Sequence, residues 1–345
     1  MGIIRLLLSL AVVGAHCNSN QLLKFVGGET AVQAFFVISG FYMAMIISSY
    51  KSKRNFWISR YLRLYPLYIV CALMSLTLIH GFNSYFNNIE KLPLTASIFL
   101  SFTNATIFLQ DLTMFLGVKN DSLSFVYYFG DSTPPLFTLL LLPQGWSLGI
   151  ELAFYALAPF ILTKSPRFII SVIFFSEVIR VFLIGRGFTF DPWTYRFFPS
   201  ELSIFLIGSL AYKFYNLNNK LMSNSILSDI GIAFILLFTI SFQYIPLDYQ
   251  LKKILFILSL GTLIGNIFHL TKNSKLDNFL GMLSYPVYVC HLLALQYFIP
   301  KLNISPPDGE FITTFISYVV VIVFSIFLYI TIERPVDLFR HRFKK

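Results

Sequence analysis

The chain has 345 residues, of which 56% are hydrophobic and only 12% charged, with a mean hydropathy of +0.72 and 39 phenylalanines. A soluble domain carries roughly 25% charged residues, so this composition excludes a water-soluble globule, which it could not cover with polar surface. The net charge of +10 does not call for a nucleic-acid partner, because the basic residues lie between apolar runs, as they do on the cytoplasmic side of membrane proteins.

Apolar runs recur at about 4–20, 30–50, 64–82, 93–117, 146–163, 167–184, 200–216, 226–244, 253–270, 280–299 and 311–333. Only helices and closed barrels satisfy their backbone groups in lipid, and these runs are too long for barrel strands. At about 20 residues per helical crossing, they predict an all-α, polytopic transmembrane helical bundle of about ten to eleven spans. No long polar stretch or Gly/Ser linker divides the chain. One integral membrane domain over residues 1–345 is therefore expected, with no fused soluble domain. The three cysteines, Cys17, Cys71 and Cys290, form no CxxC and no Cys/His zinc spacing. Neither a metal nor a disulfide framework is expected.

The first run opens on Arg5 and ends near His16 and Cys17. It lacks an A-x-A-like cleavage signal, and His16 precedes the cysteine where a lipoprotein signal needs a small residue, so residues 4–20 read as a retained first span. Ionisable groups at membrane depth are costly, and each is a functional candidate by default. At about 100° per residue, Arg5 and His16 fall within roughly 20° of one another, about 16 Å apart along the axis. One helical face thus carries a fixed cation and a titratable imidazole. Read alone, the pair is equally a snorkelling arginine and an interfacial histidine.

The second run contains Phe35-Phe36-Val37-Ile38-Ser39-Gly40-Phe41, in which Ser39-Gly40 permits close helix approach. The densest basic loop follows, with Lys51, Lys53, Arg54, Arg60 and Arg63. It is expected in the cytoplasm, which places the N-terminus there too, after two crossings. Arg60 and Arg63, at i and i+3, share a face where the chain re-enters the membrane, and guanidinium pairs suit phosphates. The tail Arg340, His341, Arg342, Lys344, Lys345 also reads as cytoplasmic. Both ends on one side require an even number of crossings, so one of the eleven runs is expected to be re-entrant. The stretch 93–142, with Asp111, Asp121, Asp131 and Pro134-Pro135, is the weakest span.

The fifth run carries Trp146-Ser147-Leu148-Gly149-Ile150-Glu151. A carboxylate inside an apolar span needs a cationic or titratable partner, and Glu151 is expected to hold His16 in one tautomer, as the acid of a triad does. The tenth run carries Ser284-Tyr285-Pro286-Val287-Tyr288-Val289-Cys290-His291, where Ser284 and His291 face the same way. Glu333-Arg334-Pro335 closes the last span. His80, His269 and His341 read as loop or interfacial residues.

These six segments, in this order, resemble the acyltransferase-3 family of membrane acyltransferases over nearly the whole chain. The marks are Arg-x10-His (Arg5, His16), FFVISGF, Arg-x2-Arg followed by Tyr-Pro, WSL-x2-E, SYPVY-x2-H and the closing ERP. Leu152 follows Glu151 where the family often has a second acid, so one carboxylate stands there instead of two. The resemblance implies transfer of an acyl group, usually acetyl from acetyl-CoA, to a hydroxyl of a bacterial surface glycan such as O-antigen, capsule or exopolysaccharide. The acceptor is then a lipid-linked or polymeric sugar. No permanently bound cofactor is expected, acyl-CoA being a co-substrate. The protein is expected in a bacterial cytoplasmic (inner) membrane, among membrane lipids, with both termini cytoplasmic.

A sugar hydroxyl is a poor nucleophile at neutral pH, and an imidazole is a suitable base. The expected catalytic residues are His16 as general base, Glu151 as its orienting acid, and Arg5. Arg60 and Arg63 are expected on the phosphates of coenzyme A. Ser39, Ser284 and His291 are substrate or oxyanion candidates. The alternative is a secondary transporter or flippase using the buried Arg, His and Glu as a proton relay; the sequence shows no inverted repeat of short broken helices in its favour. The HxxxxD motif of glycerolipid acyltransferases is absent.

Overall fold

A computed structural model describes residues 1–17, 21–217, 225–302 and 310–343. Lys344 and Lys345 of the basic tail, and residues 18–20 at the end of the expected first span, lie outside the described residues. The helices are α1 (Gly2–Ala15), α2 (Gly28–Ile46), α3 (Lys53–Ser75), α4 (Phe82–Glu90), α5 (Leu94–Thr106), α6 (Trp146–Ile161) and α7 (Pro166–Gly185). They continue with α8 (Phe198–Leu217), α9 (Ser225–Ser241), α10 (Tyr249–Thr271), α11 (Lys275–Tyr297), α12 (Glu310–Leu328) and α13 (Arg334–Arg340). Several begin where local chemistry stops the helix from extending backwards. Ser52, Ser165, Asp248 and Ser274 each accept a backbone N–H of the first turn of α3, α7, α10 and α11, the usual N-cap role of these residues.

Among the described residues, six helical stretches are long and apolar enough to cross a membrane: Gln21–Ser49, Lys53–His80, Pro166–Gly185, Tyr249–Thr271, Lys275–Tyr297 and Glu310–Phe343. The architecture is a helical membrane bundle, in which the expected ten to eleven spans are not confirmed. Several of the apolar runs fall outside these six stretches, some because they are short or broken. Helix α1 has only 14 residues and α6 only 16.

The run 93–117 shows the reason most clearly. Helix α5 stops at Thr106, and Ile107 and Leu109 adopt left-handed conformations with φ of 70° and 63°. The chain then forms a hairpin, β1 (Leu116–Lys119) antiparallel to β2 (Ser122–Phe125), with Leu116 opposite Phe125 and Lys119 opposite Ser122. Its two-residue tip, Asn120-Asp121, has positive φ at both positions, a conformation that Asn and Asp tolerate and that matches strand twist. Buried amides satisfy the irregular backbone. Asn104 Oδ1 accepts from the Leu141 N–H at 2.9 Å, and Gln110 Nε2 donates to the Thr103 carbonyl at 3.0 Å and the Tyr68 hydroxyl at 2.5 Å. The segment thus reverses against α6 instead of crossing.

Two crossings frame the site. Helices α2 and α8 meet backbone to backbone: a Cβ on Gly40 would overlap the Phe205 carbonyl, and one on Gly208 would overlap the Val37 carbonyl. Ser209 Oγ donates to the Gly40 carbonyl at 3.0 Å. Phe205 lies between Phe36 and Phe154, with ring centroids at 4.4 and 4.3 Å, so the crossing also locks α6. The second crossing joins α1 to α11. The Asp277 carboxylate accepts the backbone N–H of Gly2 at 2.7 Å and of Ile3 at 3.0 Å. Arg5 near one chain end and Arg340 near the other line the same cavity.

Because no side-chain movement relieves a clash with backbone, Gly40→Ala and Gly208→Ala should each destabilise the protein by about 1–3 kcal/mol. Thermal unfolding in detergent micelles would register the loss. The double variant should lose less than the sum, since both changes open the same crossing.

Candidate active site

Inside the bundle lies a cavity of about 300 Å³ whose lining includes Arg5, Ser39, Tyr42, Arg60, Arg63, Ser147, Glu151, Tyr155, Ser284, Tyr285, Tyr288, Glu333, Asp337 and Arg340, with Val32, Phe35, Phe36 and Ile38 among its apolar walls. Residues far apart in sequence meet there because α1, α2, α3, α6, α11 and the C-terminal helices each turn one polar strip inward.

The cationic end of the cavity is partly neutralised. Arg63 is ion-paired with Glu333 and stacks on Tyr285, its guanidinium carbon 5.0 Å from the ring centroid. Arg340 is ion-paired with Asp337. Arg60, only 5% exposed, has no carboxylate: its Nη2 donates to the Tyr50 hydroxyl at 2.8 Å and to Ser59 Oγ at 3.3 Å, and its Nε lacks a partner among the described residues. Arg5 Nε is likewise buried without a hydrogen-bond partner, and its guanidinium carbon stands 5.8 Å from the Tyr42 ring centroid. Arg60 and Arg63 do share one wall, but among the described residues Arg63 is paired with a carboxylate while Arg60 and Arg5 are not.

The middle of the cavity holds Glu151. Its Oε1 accepts from Ser39 Oγ at 2.8 Å and from the Tyr155 hydroxyl, one helical turn further on. Above it, the Ser147 and Tyr288 hydroxyls are 2.5 Å apart, and Tyr288 also donates to the Gln144 carbonyl at 3.1 Å. Ser284 Oγ donates to the Gly281 carbonyl at 2.7 Å. The hydroxyl hydrogens of Ser39 and Ser284 are therefore both directed at protein acceptors, and neither is aimed into the cavity as an oxyanion donor.

His16 lies elsewhere. It caps the C-terminus of α1, is exposed, and is not part of the cavity wall. Both members of the Arg-x10-His pair turn toward α11: a Cβ on Gly281 would sit 3.5 Å from Arg5 Nη1, and the His16 ring stands 5.2 Å from that of His291. The expected pairing of Glu151 with His16 is not present. Glu151 is held by Ser39 and Tyr155, and the ring beside His16 belongs to His291. The axial arithmetic gives the reason. A Cβ on Gly28, at the start of α2, would lie 3.1 Å from the Ala15 Cβ, which puts His16 level with Gly28. Ser39 comes eleven residues later, roughly 16 Å along the helix at 1.5 Å per residue. His291 is fully buried, its Nδ1 is 2.6 Å from the Tyr288 carbonyl, and its Nε2 has no partner among the described residues.

A group that sequence reasoning passed over stands near His16. In the loop before α8, Arg196 pairs with Asp191 through Nε (2.6 Å) and Nη2 (2.9 Å). It also stacks on Trp146, at 4.3 Å from the ring centroid. Burial holds the neighbouring Tyr195 phenol above its ordinary value, so its hydroxyl keeps its hydrogen and donates to Asp191 at 3.1 Å. The available signal was an Asp-x4-Arg pair interleaved with Trp193 and Tyr195 between apolar runs. Among the described residues no three His, Cys, Asp or Glu side chains are grouped as metal ligands.

Comparison with known proteins adds an independent line. A family model described as an acyltransferase domain matches residues 1–334. A protein of Acidianus two-tailed virus, provisionally named an acetyltransferase, is 25% identical over 300 residues, covering 83% of this chain and 79% of that protein. An uncharacterised protein of Aquifex aeolicus (strain VF5) is 28% identical over 167 residues, 47% of this chain and 73% of its own length. No solved structure matches.

Glu333 is 6% exposed and is the partner of Arg63. Removing one member of such a pair strands the other, so Glu333→Ala should cost about 3–5 kcal/mol. An Arg63→Met, Glu333→Leu double variant should recover most of that. The yield and melting temperature of the purified protein measure both.

Proposed function

The chain belongs to the acyltransferase-3 family, and from that premise we propose that it carries an acyl group, acetyl in the first instance, from coenzyme A to a hydroxyl of a bacterial surface glycan. The observation that carries the donor half of this reading is the cavity, in which Arg60, buried, and Arg5, half-buried, each keep a buried Nε–H without an acceptor among the described residues. Buried donors without partners are costly, and a polyanion such as the phosphates of coenzyme A offers them acceptors with charge-assisted geometry. Arg63, committed to Glu333, acts as the second member of the phosphate pair by sharing its guanidinium. The long pantetheine arm runs from this basic end past Ser39 and Glu151 toward Tyr288.

His16 acts as the general base at the opposite end, roughly 16 Å from Arg5 along α1. A lipid-linked or polymeric sugar reaches it from the far side of a bacterial inner membrane, with both chain termini and the coenzyme in the cytoplasm. The acceptor oxygen attacks the thioester carbonyl carbon while its proton passes to His16. The C–S bond then breaks and coenzyme A leaves as thiolate.

Mass spectrometry of surface glycans from cells with and without the protein tests the reading directly: one added acetyl on one sugar is the expected difference. Proton-coupled uptake into vesicles with no acyl transfer would mark a transporter instead. With acetyl-CoA as donor, Arg60→Ala should raise KM about 10- to 100-fold, the loss of a charge-assisted bond worth about 1.5–3 kcal/mol. His16→Ala should lower kcat by about 10²–10⁴ with little change in KM. A folded His16→Ala protein of near-normal rate would remove the base assignment.

A further inference from the structure

The carboxylate expected behind His16 is occupied elsewhere, yet a base that takes a proton from an alcohol gains from a group that holds its other ring nitrogen. The residue beside His16 is His291. Its Nδ1 lies 2.6 Å from the Tyr288 carbonyl. A carbonyl only accepts, so Nδ1 carries the hydrogen. In a neutral imidazole the other nitrogen then has a bare lone pair, and Nε2 of His291 is buried with no donor facing it among the described residues. The ring is 0% exposed, so bulk solvent does not reach it. The nearest ring is that of His16, at 5.2 Å between centroids with the planes inclined by 38°. His16 sits at the end of its helix and is exposed, so its ring has room to rotate about χ2. A separation of 5.2 Å leaves room for an N–H···N bond between the rings when a nitrogen of each points at the other.

We propose that His16 and His291 form a dyad in which His291 is the positioning residue: its lone pair accepts the N–H of one His16 nitrogen and leaves the other nitrogen bare for the acceptor hydroxyl. The proposal rests on the reading of His16 as the base. The proton balance is simple. The acceptor's proton goes to the bare nitrogen of His16 as the C–O bond forms, and the departing thiolate of coenzyme A takes it back as the C–S bond breaks. His291 exchanges no proton in the cycle. It fixes the tautomer and shares the charge of the transient imidazolium, a role its own tautomer permits only because the Tyr288 carbonyl holds Nδ1–H. The same geometry argues against His291 as an oxyanion donor, since the nitrogen facing His16 has no hydrogen to give.

The test uses the full-length protein in membranes, with transfer of radiolabelled acetyl from acetyl-CoA to the glycolipid fraction as the readout. His291→Phe keeps the ring volume and removes the lone pair. It should lower kcat about 100-fold, the lower end for a general-base contribution, and leave the KM for acetyl-CoA unchanged. His291→Gln keeps an acceptor oxygen and should recover at least a tenth of the wild-type rate. Equal losses in the two variants, or a folded His291→Phe protein within threefold of wild type, would overturn the dyad. If His16→Ala also keeps its rate, the base assignment falls with it; if only His16→Ala is inactive, the dyad alone falls. Nitrogen-15 spectra of ring-labelled histidine in the wild-type protein give a measurement that needs no folded His291 variant. His291 should show a protonated Nδ1 and a bare Nε2 whose resonance moves in His16→Ala. A protonated Nε2 would sink the proposal.

Discussion

The carboxylate of Asp277 fixes the register of the first helix. It accepts the N–H groups of Gly2 and Ile3 at the start of α1, donors that no helix can satisfy within itself, and it brings negative charge to the positive end of the helix dipole. Asp277 belongs to the first turn of α11, so the bond pins two neighbouring helices at one level. Everything that α1 contributes follows from that level. Arg5 arrives beside Gly281 and His16 beside His291. A slip of one residue would turn both side chains by about 100° around the axis and take the guanidinium out of the cavity and the imidazole away from its neighbour.

The interior polar groups divide by how completely they are paired. Arg63 is ion-paired with Glu333 and Arg340 with Asp337. At the other side of the bundle, Glu201 is wholly buried yet accepts from Gln33 Nε2 and lies 3.2 Å from Arg180, while Lys253 is ion-paired with Glu29. These pairs tie α2, α7, α8 and α10 together at a depth where an unpaired charge would be expelled. Among the described residues, buried side-chain atoms without a partner remain on Arg5, Arg60 and His291, and also on Gln110, Gln144, Ser200, Asn266 and Glu333; the first three belong to the proposed reacting path.

Much of this was legible in the sequence, and the illegible part has a physical cause. Periodicity along one helix predicted that Arg5 and His16 share a face, and that Arg60 and Arg63 do, because helical geometry is local. The apolar runs predicted a helical membrane bundle, but not where a run breaks. Nothing in the residue types of 93–117 announces that Ile107, a β-branched residue, will take a left-handed conformation; its side chain is fully buried, and burial depends on residues distant in the chain. Partner choice was the least readable. Glu151 and His16 are both unusual residues in apolar spans, and pairing them is chemically reasonable. The depth of each along its helix decides otherwise, and depth depends on where α1 and α2 are joined. His291 was singled out for its spacing from Ser284, but its neighbour lies 275 positions away in the chain.

The shortness of α1 sets the length of the path beside it. Its 14 residues extend about 21 Å at 1.5 Å per residue, against a hydrocarbon core of roughly 30 Å. Most of its side chains are buried among neighbouring helices, so protein and not lipid makes up the difference. A molecule that touches both the Arg5 end and the His16 end of this helix therefore has less than the full thickness of a bilayer to cover.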